Sequence, residues 1–159
     1  MGILLTIPFL KAQVIEEPGY KIFPFGNNGQ LNTTYDARQR PNCVLVDGTL
    51  FLVYNGDGKG EVDNLKTKPL AVTFDLETKE FSDVLTLGPE SNDHHNSPVI
   101  WVDMEEKMHV FYGWHHDLGK HLVSKAPLSI GKSVEDWETG SAPSSKMSYE
   151  WMSRIFDNK

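Results

Sequence analysis

Several things are scarce in this 159-residue sequence, and each scarcity removes a class of protein. There is one cysteine, Cys43, so no disulfide can close within the chain and no Cys-x-x-Cys pair is present. Lys and Arg never form a run and the formal net charge is −7, which argues against a nucleic-acid surface. No stretch approaches the ~20 apolar residues that span a bilayer. Helical periodicity is almost missing, as are a Gly-rich phosphate loop and a Gly-x-Ser-x-Gly elbow. Histidine is absent from the first 93 residues and from the last 38.

What is present is an apolar content of 39% against 23% charged residues, the balance of a soluble globular chain. Short runs of Val, Ile, Leu, Phe, Tyr and Trp, cut by Gly, Asp and Asn, predict strands near 41–46, 50–55, 69–75, 80–86, 97–102, 107–113, 121–125 and 151–156. Residues 1–13 contain Ile3–Leu10 followed by Lys11-Ala12-Gln13. They have the form of a clipped export signal or leader that lacks a charged start. Residues 14–37 hold Pro18-Gly19, Pro24 and Gly26-Asn27-Asn28-Gly29 and read as an irregular lead-in. Cys43, inside the run Cys43-Val44-Leu45-Val46, reads as a buried inert thiol.

An internal repeat gives the organisation. Val44-Leu45-Val46-Asp47, a turn and Leu50–Gly56 match Val99–Asp103, a turn and Met108–Gly113, with Tyr54 set against Tyr112. A third copy begins at Trp151–Asp157. Four-stranded units recurring in this way predict an all-β, β-propeller fold with blades at about 38–92 and 93–146 and the start of a third at 147–159. A β-sandwich is the competing architecture. A propeller needs at least four blades, so the chain reads as an N-terminal fragment of a longer protein, with a sheet edge left unpaired.

All six histidines, His94, His95, His109, His115, His116 and His121, lie between residues 94 and 121. With a turn at Met104–Glu106, antiparallel pairing sets His95 against His115 and His94 against His116, at one end of one blade. The blade offset carries His95 to Tyr149 in one direction and to Gln39, beside Arg40, in the other. Two imidazoles and a phenol around one cleft are proton-transfer groups. His109 and His121, within strands, read as packing or surface residues. Zinc held by the doublets and Asp93 is the rival explanation. Adjacent strand residues point to opposite faces, however, and rarely bind one ion together.

The segment His95-Asn96-Ser97-Pro98 through Asp103, continuing to Met108–Gly113-Trp114-His115, resembles the BNR-repeat propeller family that contains ulvan lyase-type polysaccharide lyases. Tyr149 matches the Tyr that opens the following blade, although the usual Pro after it is Glu150. The resemblance implies a seven-bladed propeller and β-elimination on a uronic-acid-containing polysaccharide. In that reading His95 and Tyr149 are base and acid, while His115 binds or neutralises the uronate. Asn96, His116, Trp114 and Arg40 bind substrate. A further Arg would fall just past Lys159, so the 159 residues alone are expected to be inactive. No cofactor is required for the chemistry, although a structural calcium or zinc is compatible with it. The implied partner is an acidic polysaccharide and the implied location secreted or periplasmic. The alternatives are a non-catalytic carbohydrate-binding propeller and a glycosidase, for which only Asp93 and Glu150 are placed as carboxylates.

Overall fold

The computed structural model describes residues 14–25, 42–59, 66–115 and 118–142. The first described segment is not irregular. Pro18-Gly19 turns β1 (Ile15–Glu17) back onto β2 (Tyr20–Ile22), a short antiparallel hairpin in register Ile15↔Ile22. The turn pair that suggested an irregular lead-in is the apex of this hairpin.

The first large sheet is a four-stranded antiparallel meander, β3 (Cys43–Val46), β4 (Thr49–Lys59), β5 (Lys66–Asp75) and β6 (Leu85–Thr86). Its opening turn is Asp47-Gly48, with φ of 46° and 77°. Two consecutive positive φ angles give the mirror-image turn whose twist matches that of paired strands, and Gly is the residue that adopts it without strain. The strand expected over 80–86 shrinks to Leu85–Thr86 plus one isolated bridge, Phe74↔Phe81.

The second sheet repeats the plan with β7 (Val99–Val102), β8 (Met108–Tyr112), β9 (Lys120–Ser124) and β10 (Trp137–Thr139). The β7–β8 register runs from Val99↔Phe111 to Val102↔Met108, as a turn at Met104–Glu106 requires. Strand β10 had no sequence signal, because its one apolar residue is Trp137. It is launched by the turn Val134–Asp136, where Ser133 and Asp136 cap each other's backbone N–H groups. The expected strand at 151–156 and the third repeat lie outside the described residues.

Side-chain alternation builds the core between the two sheets. Phe51, Val53, Ala71, Leu85 and Leu87 from the first meet Ile100, Met108, Val110, Tyr112, Leu122 and Trp137 from the second, all buried. Each such side chain contributes roughly 1.5–3 kcal/mol through area removed from water. The far face of the first sheet carries Tyr54, Leu70, Val72 and Phe74. Phe23 and Phe25 cover it, with ring centroids 5.1 Å from Phe74 and 5.5 Å from Tyr54.

Two expectations are corrected by this packing. The repeat offset is 56 residues for the first strands (Val46 to Val102) but 59 for the second (Thr49 to Met108), because the second turn is longer. Tyr54 is therefore not the counterpart of Tyr112. Tyr54 lies on the far face and Tyr112 between the sheets, where its hydroxyl donates to the Leu87 carbonyl at 3.2 Å. A slip of one residue exchanges the faces of a strand. Cys43 is exposed, not buried. In β3 the inward residues are Val44 and Val46, which leaves Cys43 and Leu45 facing out.

Candidate functional site

The connection from β6 to β7 carries His94–Asn96, and its conformation is fixed by a chain of hydrogen bonds that begins in the first sheet. Thr67 of β5 and Ser91 exchange both backbone bonds at 2.8 Å. The Ser91 hydroxyl accepts the backbone N–H of Asp93 at 3.1 Å and the side-chain amide of Asn96 at 2.9 Å. Asp93 then caps the short helical turn His94–Asn96, its Oδ1 accepting the His95 N–H at 2.9 Å. Beyond the turn, buried Asn55 donates to the Ser97 hydroxyl at 3.2 Å and Asn42 to the Pro98 carbonyl at 2.8 Å. The loop is thus held against the first sheet.

His115 follows β8, three residues after the strand ends at Tyr112. The hairpin brings it against His95, with ring centroids 4.0 Å apart and planes tilted by 44°. Both rings converge on one carboxylate. Asp93 Oδ1 lies 2.7 Å from His95 Nδ1, and Oδ2 lies 2.5 Å from His115 Nδ1. Burial by itself raises the Asp93 pKa. Hydrogen bonds from His115 and from the backbone and ring of His95 outweigh it and hold the group below the usual carboxylate value.

Asp93, His95 and His115 could also hold a metal, since one donor atom from each lies within 4.8 Å of the others. The spacing is informative. Ligands about 2.0–2.2 Å from a tetrahedral zinc stand about 3.3 Å from one another, whereas the O···N separations here are 2.7 and 2.5 Å. As arranged, these atoms are spaced for a shared proton rather than for an ion.

A second cluster of the same composition lies on the outer face of the second sheet. Asp103 Oδ2 meets His109 Nε2 at 2.9 Å, His109 Nδ1 meets His121 Nε2 at 2.9 Å, and His121 Nδ1 meets the Ser141 carbonyl at 2.8 Å. Trp101 stacks on His109 at 4.6 Å and on Phe111 at 4.6 Å. Burial, opposed by the bond to Ser141 and reinforced by neighbouring His109, lowers the His121 pKa. In the sequence His109 and His121 were only packing candidates, because nothing in residue spacing announced this row.

The remaining expected site residues divide clearly. His116, Arg40 and Tyr149 lie outside the described residues, and the His94 side chain is not described either. Asn96 sits beside the pair, its amide nitrogen on Ser91 and its Oδ1 buried without a hydrogen-bond partner among the described residues. Trp114 is a correction. It is fully buried with Val99 and Phe111, and Gly119 packs so close to its indole that a Cβ there would collide. Its ring is committed to packing and offers no face to a sugar. Asp93, considered in the sequence as a zinc ligand or a glycosidase carboxylate, proves to be the hub of the pair. The cavities beside Phe23, Lys79 and Phe81 (about 440 Å³) and beside Lys125 and Asp136 (about 410 Å³) include no histidine.

The model of the BNR repeat-containing family matches residues 71–158, which takes in the whole second sheet and both histidines of the pair. The chain belongs to this family. It is also similar to a curated ulvan lyase of Alteromonas sp. (strain LOR), at 28% identity over 58% of this chain and 22% of that protein. Among solved structures it superimposes on an ulvan lyase described as a new family of polysaccharide lyase, with a TM-score of 0.65 and 20% identity. The match covers 82% of this chain and 32% of the other. The same holds for an ulvan lyase bound to -[GlcA(1-4)Rha3S]-, at a TM-score of 0.65 and 19% identity, again over 82% and 32%. The fold is therefore of the β-propeller class, and the two four-stranded sheets are its repeating units. The chain spans about a fifth to a third of the length of these relatives.

Proposed function

We propose that this chain carries part of the active site of a polysaccharide lyase that cuts an acidic, uronic-acid-containing polysaccharide of the ulvan type by β-elimination. One observation carries the reading: two imidazoles, with ring centroids 4.0 Å apart, converge on a single carboxylate at the end of a propeller hairpin. Among the relatives, an ulvan lyase bound to a GlcA-containing repeat supports the choice of substrate class.

In this mechanism His95 removes the proton at C5 of the uronate. The electron pair forms the C4=C5 bond, the C4–O4 bond breaks, and O4 leaves with a proton from Tyr149. Neutralising the uronate carboxylate acidifies the C5 proton and stabilises the enolate-like transition state, the role assigned to His115. Asn96, whose Oδ1 needs a donor, would accept a sugar hydroxyl, with Arg40 and His116 as further substrate contacts. The chemistry needs no cofactor. No described helix is long and apolar enough to cross a membrane. A polymeric substrate of this kind would be met outside the cell, which supports a secreted or periplasmic location in this reading.

The test is direct. The protein expressed from its complete reading frame and given ulvan should release ultraviolet-absorbing unsaturated ends, and His95→Ala should abolish them. Affinity for the polysaccharide with no unsaturated ends from the wild type would replace this reading with a non-catalytic carbohydrate-binding propeller. Release of saturated reducing ends would point to a glycosidase instead.

A further inference from the structure

We propose that Asp93 is the positioning residue of this site: one carboxylate fixes the orientation and the tautomer of His95 and His115 together. The kinetic consequence rests on the lyase reading, whereas the tautomer claim rests on geometry alone.

An ionised carboxylate only accepts hydrogen bonds. Oδ1 lies 2.9 Å from the His95 backbone nitrogen and 2.7 Å from its Nδ1, and Oδ2 lies 2.5 Å from His115 Nδ1. Both Nδ1 atoms must therefore carry a hydrogen. A neutral imidazole has one N–H, so the lone pair of each neutral ring is placed on Nε2. For His95 this makes Nε2 the basic nitrogen, which a proton-abstracting role requires. For His115, acting as a donor to a uronate takes a second proton on Nε2. The oxygen that faces this ring, Oδ2, is shared with no other group in the hydrogen bonds described, so its charge is directed at that contact.

Asp93 can impose this because it is itself immobilised. Its backbone N–H is bound by Ser91, and Ser91 is bound on both backbone groups by Thr67, a buried residue of the first sheet. The first sheet thus sets the angle of rings whose chemistry belongs to the second. The low Asp93 pKa, in which burial is outweighed by the bonds from His115 and His95, keeps the carboxylate ionised at neutral pH. An ordinary capping aspartate would need only the backbone bond to His95.

The tautomers can be read from imidazole nitrogen chemical shifts in the labelled protein. In the wild type both rings are expected to show Nδ1–H. An Nε2–H tautomer on either ring would overturn the proposal without recourse to any variant. Asp93→Asn gives a sharper test, since the amide offers one acceptor and one donor where the carboxylate offered two acceptors. One ring should keep Nδ1–H and the other should switch to Nε2–H. Retention of Nδ1–H by both rings in a folded Asp93→Asn variant would sink the idea. So would a wild-type spectrum that changes on adding a chelator, because that would place a metal where the carboxylate now binds. If the protein eliminates ulvan, Asp93→Asn should lower kcat on the order of 10³- to 10⁴-fold with little change in KM, the signature of a mis-set tautomer. A tautomer switch in a protein that releases no unsaturated ends would uphold the positioning role and reject the lyase reading.

Discussion

The second sheet holds two Asp–His–His clusters, and the place of the carboxylate makes them different devices. In the strand-end cluster Asp93 stands between the rings, so two hydrogens, one on each Nδ1, complete both bonds with both rings neutral. In the sheet-face cluster Asp103 stands at one end and the Ser141 carbonyl at the other, both acceptors. Three bonds join this row, and they use all four ring nitrogens. Completing them takes three hydrogens on two rings. His121 resists the extra one, because burial lowers its pKa. The row is closed on itself and braces β7, β8, β9 and the segment after β10. The strand-end pair commits only one nitrogen of each ring to its aspartate. Composition is the same, but the central carboxylate engages one nitrogen of each ring, whereas the row ties up both nitrogens of each of its rings.

The largest effect that would break this contrast is on stability. His121→Ala removes two hydrogen bonds and the contacts with Phe111 and Trp101, and strands His109. A loss of about 3 kcal/mol is expected in urea unfolding. His95→Ala, at the rim, should cost about 1 kcal/mol or less. Equal losses would mean that both clusters are structural. Gly140→Ala probes the same row from outside, because a Cβ at Gly140 would collide with the His121 ring. It should cost about 1–3 kcal/mol, and a neutral result would remove His121 from the load path.

Acid should separate the clusters further. His121 has a folded pKa below its ordinary 6.5, so the unfolded chain binds its proton first, and stability falls as pH drops below about 6.5 toward the folded value. Asp93 and Asp103 are held below 3.8, so their contribution is present above that value and is lost as pH falls through their folded pKa values. Unfolding free energy measured against pH should therefore fall in two stages, and His121→Phe should remove only the first. A single stage unchanged by His121→Phe would contradict the assignment. Asp103→Asn should cost about 1–2 kcal/mol of stability and leave the proposed activity of the folded protein nearly unchanged.

Much of this arrangement was legible in the sequence. The short apolar runs gave β3, β4, β5, β7, β8 and β9, and the turn at Met104–Glu106 gave the hairpin register that places His95 against His115. What was not legible depends on contacts between distant segments. Strand β10 is defined by Trp137 filling the inter-sheet core, not by its own alternation. The exposure of Cys43 follows from which side of β3 the core occupies. The burial of Trp114 depends on the approach of Gly119. The role of Asp93 emerges only when His115, 22 residues away, meets the carboxylate already held by Ser91 and His95 of its own loop.

The comparison is tested most directly by the rate of unsaturated-end release from ulvan by two variants of the protein from its complete reading frame, His95→Ala and His109→Ala. The two are assayed under conditions where both remain folded. The account predicts a loss of about 10³-fold or more for His95→Ala and a rate close to wild type for His109→Ala. A comparable loss in His109→Ala, or retained activity in His95→Ala, would contradict it.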